Sequence, residues 1–158
     1  MENLNPDFLD FITLLGQRSV EYVIVGGYAV GFHGFPRYTG DIDFFVSINE
    51  ENAEKLLQVL DDFGFGGIGI EREDFLKPSF VVEIGREPRK IQILTGIDGV
   101  SFQECLQSAV ECEYLERKLR FIGFDALLRN KKASGRPKDL IDVEALTSLR
   151  DRQADRLL

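Results

Sequence analysis

The order of apolar patterns along the chain predicts an α/β (α+β) domain: a small mixed β-sheet flanked by helices, with a helical C-terminal part. Three observations carry this. Amphipathic helical spacing occurs at both ends. Short apolar or alternating runs, bounded by Gly and Pro, lie between them. No shift in composition marks a linker, so positions 1–158 read as one domain.

The elements follow in order. "PDFLDFITLLGQRS" sets Phe8, Phe11, Ile12 and Leu15 at helical spacing, with Pro6 suited to a first turn. "EYVIVG" is a short strand ending in glycine, and "GYAVGFHG" reads as a short helix that its glycines weaken. "DIDFFVS" alternates and then turns fully apolar, as a central strand buried on both faces does. A second amphipathic helix begins after Asn49, its cap, has acids in its first turn and stops at Gly64. "FVVEIGREPRKIQILTG" is a pair of strands around a turn at Arg86 to Arg89. "DGVSFQECLQSAVE" carries a short helix, and "CEYLERKLRFIG" is either two short strands or one bent strand. "FDALLRNKKAS" and "RPKDLIDVEALTSLRDRQ" are helical, with Pro137 at a first turn.

The composition is that of an ordinary globular protein, 44% hydrophobic and 29% charged over 158 residues, without repeats. A chain of this length buries roughly 68–70% of the surface it exposes when unfolded. No run reaches the length of a membrane span, and "MENLNPDF" lacks the layout of a signal peptide, so a cytoplasmic address with no membrane partner is expected. Cys105 and Cys112 read as reduced thiols, and a single histidine argues against a Cys/His zinc site. A net charge of −8 argues against a general nucleic-acid coat. A local basic patch remains, because Arg129 to Lys138 holds five of the nineteen basic residues.

The chemistry lies in "VGGYAVGFHGFPRYTGDIDFFV", Val25 to Val46. On a strand, Asp41 and Asp43 project to one face. Two such carboxylates repel each other unless a cation sits between them, and Mg²⁺ is the hard cation that substrate phosphates complete. Alone, the pair fits equally two hydrated acids at an exposed strand end. Gly26 and Gly27 follow a strand and open a helix, which suits backbone N–H contact with phosphate, although a lone Gly-Gly is more often a tight turn. Together the two features make a coherent triphosphate-and-metal site.

Gly-Gly, thirteen residues and then "DID" resembles the signature of the DNA polymerase beta-like nucleotidyltransferase superfamily. "GGYAVGFHGFPRYTGDIDFFV" with "NKKASGRPKDLIDVEAL" is similar to the minimal bacterial AbiEii-like nucleotidyltransferases, a group that includes toxins of toxin–antitoxin pairs. The resemblance runs from about Leu9 to Leu146. It implies the nucleotidyltransferase fold and transfer of a nucleoside monophosphate from a nucleoside triphosphate to an acceptor hydroxyl. It also implies an RNA such as tRNA, or a protein, as acceptor, and a cognate antitoxin as partner. Gly26 and Gly27 then hold the triphosphate, and Asp41 and Asp43 hold one or two Mg²⁺ ions, about 3.5–4 Å apart if two.

The resemblance also implies a third carboxylate on a later strand, where this chain has Gln92, which carries no charge and cannot act as a base. If Arg86 to Arg89 form a four-residue loop, Glu83 lies opposite Gln92 on the same face and is the candidate replacement. A one-residue slip in register removes that candidate and leaves Glu83 a solvated or salt-bridged strand residue. Arg37 is the candidate phosphate or acceptor contact, with Thr39 serving the same loop, and His33 is either a nucleotide contact or a structural residue. Lys132, Arg136 and Lys138 are the candidates for neutralising the triphosphate or an RNA backbone, with Asp139 and Asp142 orienting them. The alternative reading is a catalytically weakened nucleotide-binding or regulatory protein of the same fold, because of Gln92.

Overall fold

The computed structural model describes residues 4–157. Helix α1, Pro6–Gln17, starts with Asn5 accepting the Asp7 N–H at 2.7 Å and buries Phe8, Phe11, Ile12 and Leu15. β1 (Tyr22–Val25) leads into the short α2 (Gly26–Phe32), and β2 (Ile42–Val46) into α3 (Glu50–Asp62), capped by Asn49. A 3₁₀ turn at Arg72–Leu76 precedes the hairpin of β3 (Val81–Arg86) and β4 (Arg89–Leu94). Then come α4 (Phe102–Ser108), the hairpin of β5 (Val110–Tyr114) and β6 (Arg117–Phe121), α5 (Phe124–Ser134) and α6 (Pro137–Arg156). "CEYLERKLRFIG" is thus two strands, turned at Leu115 and Glu116 with φ of 48° and 64°.

The six strands form one mixed sheet in the order β3-β4-β2-β1-β6-β5. β2 runs parallel to β4, β1 parallel to β6, and the remaining neighbours are antiparallel. The two faces of β2 show how it is covered. Phe44 packs on Phe11 of α1, whereas Phe45 meets Phe102 of α4 edge-on. Apolar side chains on both faces make this a central strand, as its sequence predicts. Asp43 stands on the Phe45 side, where α5 and the start of α6 wall an open cleft. The β3–β4 turn is tighter than expected: Arg86 pairs with Arg89, so only Glu87 and the cis Pro88 form the loop. The register is the expected one all the same, because both loops are symmetrical about the same point; Glu83 faces Gln92, Ile84 faces Ile91 and Gly85 faces Lys90.

Candidate active site

Three adjacent strands line up the polar residues. Asp43 on β2 is level with Gln92 on β4, which is level with Glu83 on β3, so the three share one face in a row. A carboxylate only accepts, so the Gln92 amide turns its NH₂ toward Glu83 and donates to Oε1 at 3.1 Å. Lys90 Nζ lies 3.4 Å from the other oxygen of Glu83. Gln92 lines the cleft; Glu83, one strand further out, does not. Asp41 Oδ1 accepts the backbone N–H of Lys90 at 2.9 Å, which extends the β2–β4 ladder by a side chain.

Asp43 is the strained member of the site. Its Oδ1 is buried without a hydrogen-bond partner among the described residues. Burial, and next the charge of Asp41, push its carboxyl up to about 6 against the opposing pull of Lys131, Arg136 and Lys138. The glycine pair packs directly against it. A Cβ on Gly26, whose φ is +70°, would collide with Asp43 Oδ2, and one on Gly27 would come within 2.7 Å of Thr39 Oγ1. The glycines are therefore required by close side-chain approach and by a left-handed turn, and both line the cleft. Two carboxylates, one of them orphaned and buried, fit a hard divalent cation that a triphosphate completes. Among the described residues no third His, Cys, Asp or Glu joins them in a metal-holding group.

The opposite wall comes from α5 and α6. Lys131 is 7% exposed and its Nζ lies 3.1 Å from both Asp139 Oδ1 and Asp142 Oδ2, carboxylates that are 2% and 1% exposed. Asp139 also accepts from Ser134 Oγ at 2.6 Å and Arg136 Nε at 2.8 Å. Burial opposes its charge, but Ser134, Arg136 and Lys131 outweigh that and hold its carboxyl down at about 2. Asp142 accepts from Arg37 through Nε at 3.0 Å and a terminal nitrogen at 2.9 Å. Three cations against two carboxylates leave the network with one excess positive charge at the cleft.

Two candidate residues have surroundings that the sequence does not suggest. The fork of Arg37, assigned to phosphate, closes on Asp142; Arg37 reaches the cleft as a strut between α6 and the loop before Asp41. Lys132 is exposed outside the cleft, and its neighbour Lys131 takes the inward position, because consecutive helical residues point about 100° apart. Two adjacent lysines offer nothing in the sequence to rank them, and only the docking of α5 on α6 singles out Lys131. Thr39, Arg136 and Lys138 line the cleft with Gly26 and Gly27. His33 does not line it: its Nε2 lies 2.7 Å from the Ile122 carbonyl, to which it donates, and its ring meets Phe124 edge-on. Both cysteines are free. No described helix is long and apolar enough to cross a membrane.

Solved structures place this architecture. The chain is similar to ANT(2″)-Ia in complex with adenylyl-2″-tobramycin, at 20% identity and a TM-score of 0.59, over 95% of this chain and 91% of that one. This chain has the nucleotidyltransferase fold. It is likewise similar to the lincosamide antibiotic adenylyltransferase LnuA, lincomycin-bound, at 19% identity and a TM-score of 0.58, over 93% and 99% of the two chains. A third likeness is to an antigenic nucleotidyltransferase-like protein from Paracoccidioides brasiliensis, at 17% identity and a TM-score of 0.54, over 90% and 75%. No protein-family model matches the chain, and no curated protein does.

Proposed function

We propose that the protein transfers a nucleoside monophosphate from a nucleoside triphosphate to an acceptor hydroxyl, with Mg²⁺ held by Asp41 and Asp43. The observation that carries this is the buried, unpartnered Asp43 Oδ1 beside a second carboxylate, across a cleft from a basic wall. The fold supports the same reading. When bound, the metal polarises the phosphoryl oxygens and offsets the charge of the departing pyrophosphate. The chain does the positioning. Gly26 and Gly27 offer backbone N–H groups to the triphosphate, Arg136 and Lys138 face it, and the Lys131 network supplies positive potential behind them. The acceptor oxygen bonds to the α-phosphorus as the bond to pyrophosphate breaks. Gln92 cannot take the acceptor's proton, and we assign that role to Glu83, the next carboxylate along the same face, which has to turn from Gln92 and Lys90 toward the cleft to receive it.

The likeness of its two motifs to AbiEii-like enzymes supports an RNA such as tRNA, or a protein, as acceptor and a cognate antitoxin as partner. The test is transfer from α-labelled nucleoside triphosphate with Mg²⁺, with the label followed into RNA, protein and small hydroxylated compounds. The native protein is expected to label one class and release pyrophosphate, and Asp41→Asn and Asp43→Asn to abolish both. Full activity in either variant overturns the reading.

One observation favours a second reading, that of a weakened nucleotide-binding or regulatory protein: Gln92 fills the place level with Asp43, and among the described residues no group of three metal-ligating side chains forms. Nucleotide binding without pyrophosphate release supports it. Gln92→Asp separates the two. A rise in turnover from little or none supports the second reading, whereas pyrophosphate release by the native protein that does not rise in the variant means that Glu83 already serves.

A further inference from the structure

Three of the four tyrosines are engaged in the fold. Tyr22 meets Phe44 edge-on and donates to the Lys118 carbonyl at 3.2 Å, Tyr28 packs edge-on against Phe8, and the Tyr114 hydroxyl accepts the Leu4 N–H at 3.4 Å. Tyr38 differs. Among the described residues its ring and hydroxyl have no partner, it is 76% exposed, and it is the only aromatic among the large exposed hydrophobic side chains. It stands at the wall of the cleft that holds Asp41 and Asp43.

Isolated exposed apolar residues are common, so the backbone beneath this one matters. The loop is held on both sides of the ring. Arg37 is clamped through two nitrogens to the buried Asp142, and Thr39 packs against Gly27. Gly40 lies so close to the Pro88 carbonyl that a Cβ there would overlap it. A flat apolar face on a fixed backbone is a preorganised surface that costs little further ordering when a ligand covers it. Thr39, next to it in the chain, and Asp41, three residues on, line the same cleft as Gly26, Gly27 and Asp43, so the exposed ring borders the place proposed for the triphosphate and metal.

We propose that Tyr38 is the stacking platform for the base of the bound nucleoside triphosphate, an inference that rests on the nucleotidyl-transfer reading. Stacking on an aromatic ring accepts every base, because each has a π-face. The site therefore binds the common nucleoside triphosphates with little discrimination at this contact.

The chain contains no tryptophan, so Tyr38→Trp introduces a single fluorophore at this position. The probes are the α,β-methylene analogues of each common nucleoside triphosphate, which cannot be cleaved at the reacting bond, inorganic tripolyphosphate and a single-stranded RNA, all with Mg²⁺. Binding of an analogue is expected to quench the new tryptophan, and tripolyphosphate to leave it unquenched. Tyr38→Ala is expected to raise the Kd for the analogues on the order of 5- to 100-fold while the Kd for tripolyphosphate stays unchanged, with Tyr38→Phe close to native. Equal nucleotide affinity in Tyr38→Ala and the native protein overturns the proposal. So does an equal loss for nucleotide and tripolyphosphate, which marks a phosphate contact, or a loss seen only with single-stranded RNA, which marks the acceptor. If neither nucleotide nor tripolyphosphate binds the native protein, the nucleotidyl-transfer reading fails first and takes this one with it.

Discussion

Replacing Asp43 with Asn is expected to end nucleotidyl transfer and yet make the metal-free protein more stable at neutral pH. Burial, and then Asp41, raise the carboxyl of Asp43 from 3.8 to about 6. A raised value means that the folded state holds this proton more tightly than the unfolded chain does. Stability is therefore full below about pH 4, falls as the pH climbs through the window from 3.8 to about 6, and stays reduced above it. At about 1.4 kcal/mol per pH unit the cost at neutral pH is about 3 kcal/mol, or roughly 6–12 °C in Tm for a chain of this size. Asn has the same shape and no charge to desolvate. Thermal unfolding followed by circular dichroism in chelator checks this. The variant should melt higher than the native protein at neutral pH, and the two should converge near pH 4. Magnesium and nucleotide should then raise the native Tm only. A variant that melts lower at neutral pH, or a gap that is the same at both pH values, refutes the reasoning.

Lys131→Met leaves two buried carboxylates short of their shared cation and should cost about 3–5 kcal/mol in denaturant unfolding. A cost under about 1 kcal/mol would mean that Arg37 and Arg136 suffice. Gly26→Ala forces a side chain into a left-handed turn against Asp43, so both a loss of about 1–3 kcal/mol and a sharp fall in nucleotide binding are expected. Asp139 predicts a separate acid transition. Its carboxyl lies at about 2, below the ordinary 3.8, so about 2 kcal/mol of stability present above pH 4 is lost as the pH falls toward 2. Acid titration of unfolding should show that slope in the native protein and not in Asp139→Asn.

What the sequence made legible was whatever depends on near neighbours. The turn placed at Arg86 to Arg89 set the pairing of Glu83 with Gln92 even though the loop came out shorter, since trimming a hairpin loop equally from both sides leaves its partners facing. Asp41 and Asp43 were visible because acids interrupting an apolar strand are costly without a reason. The use of Arg37 was hidden, because its partner Asp142 is 105 residues away. Lys131 was hidden for a different reason. "NKK" gives two adjacent lysines and no periodicity to rank them, and only the docking of α5 on α6 turns one of them inward. The 3₁₀ turn at Arg72–Leu76 follows the glycine-rich stretch 64–69, and its five residues are too few to show a period.

The pairing of Arg37 with Asp142 also sets a schedule. During synthesis at about 5–20 residues per second, Arg37 leaves the ribosome about 5–20 s before its partner. Until α6 arrives, the loop carrying Tyr38, Thr39 and Gly40 lacks its clamp, and Lys131 lacks both of its carboxylates. The nascent chain can form its strands early, but its cleft acquires a working shape only when α6 docks. Whatever the cleft binds is in this way withheld from chains that still lack α6.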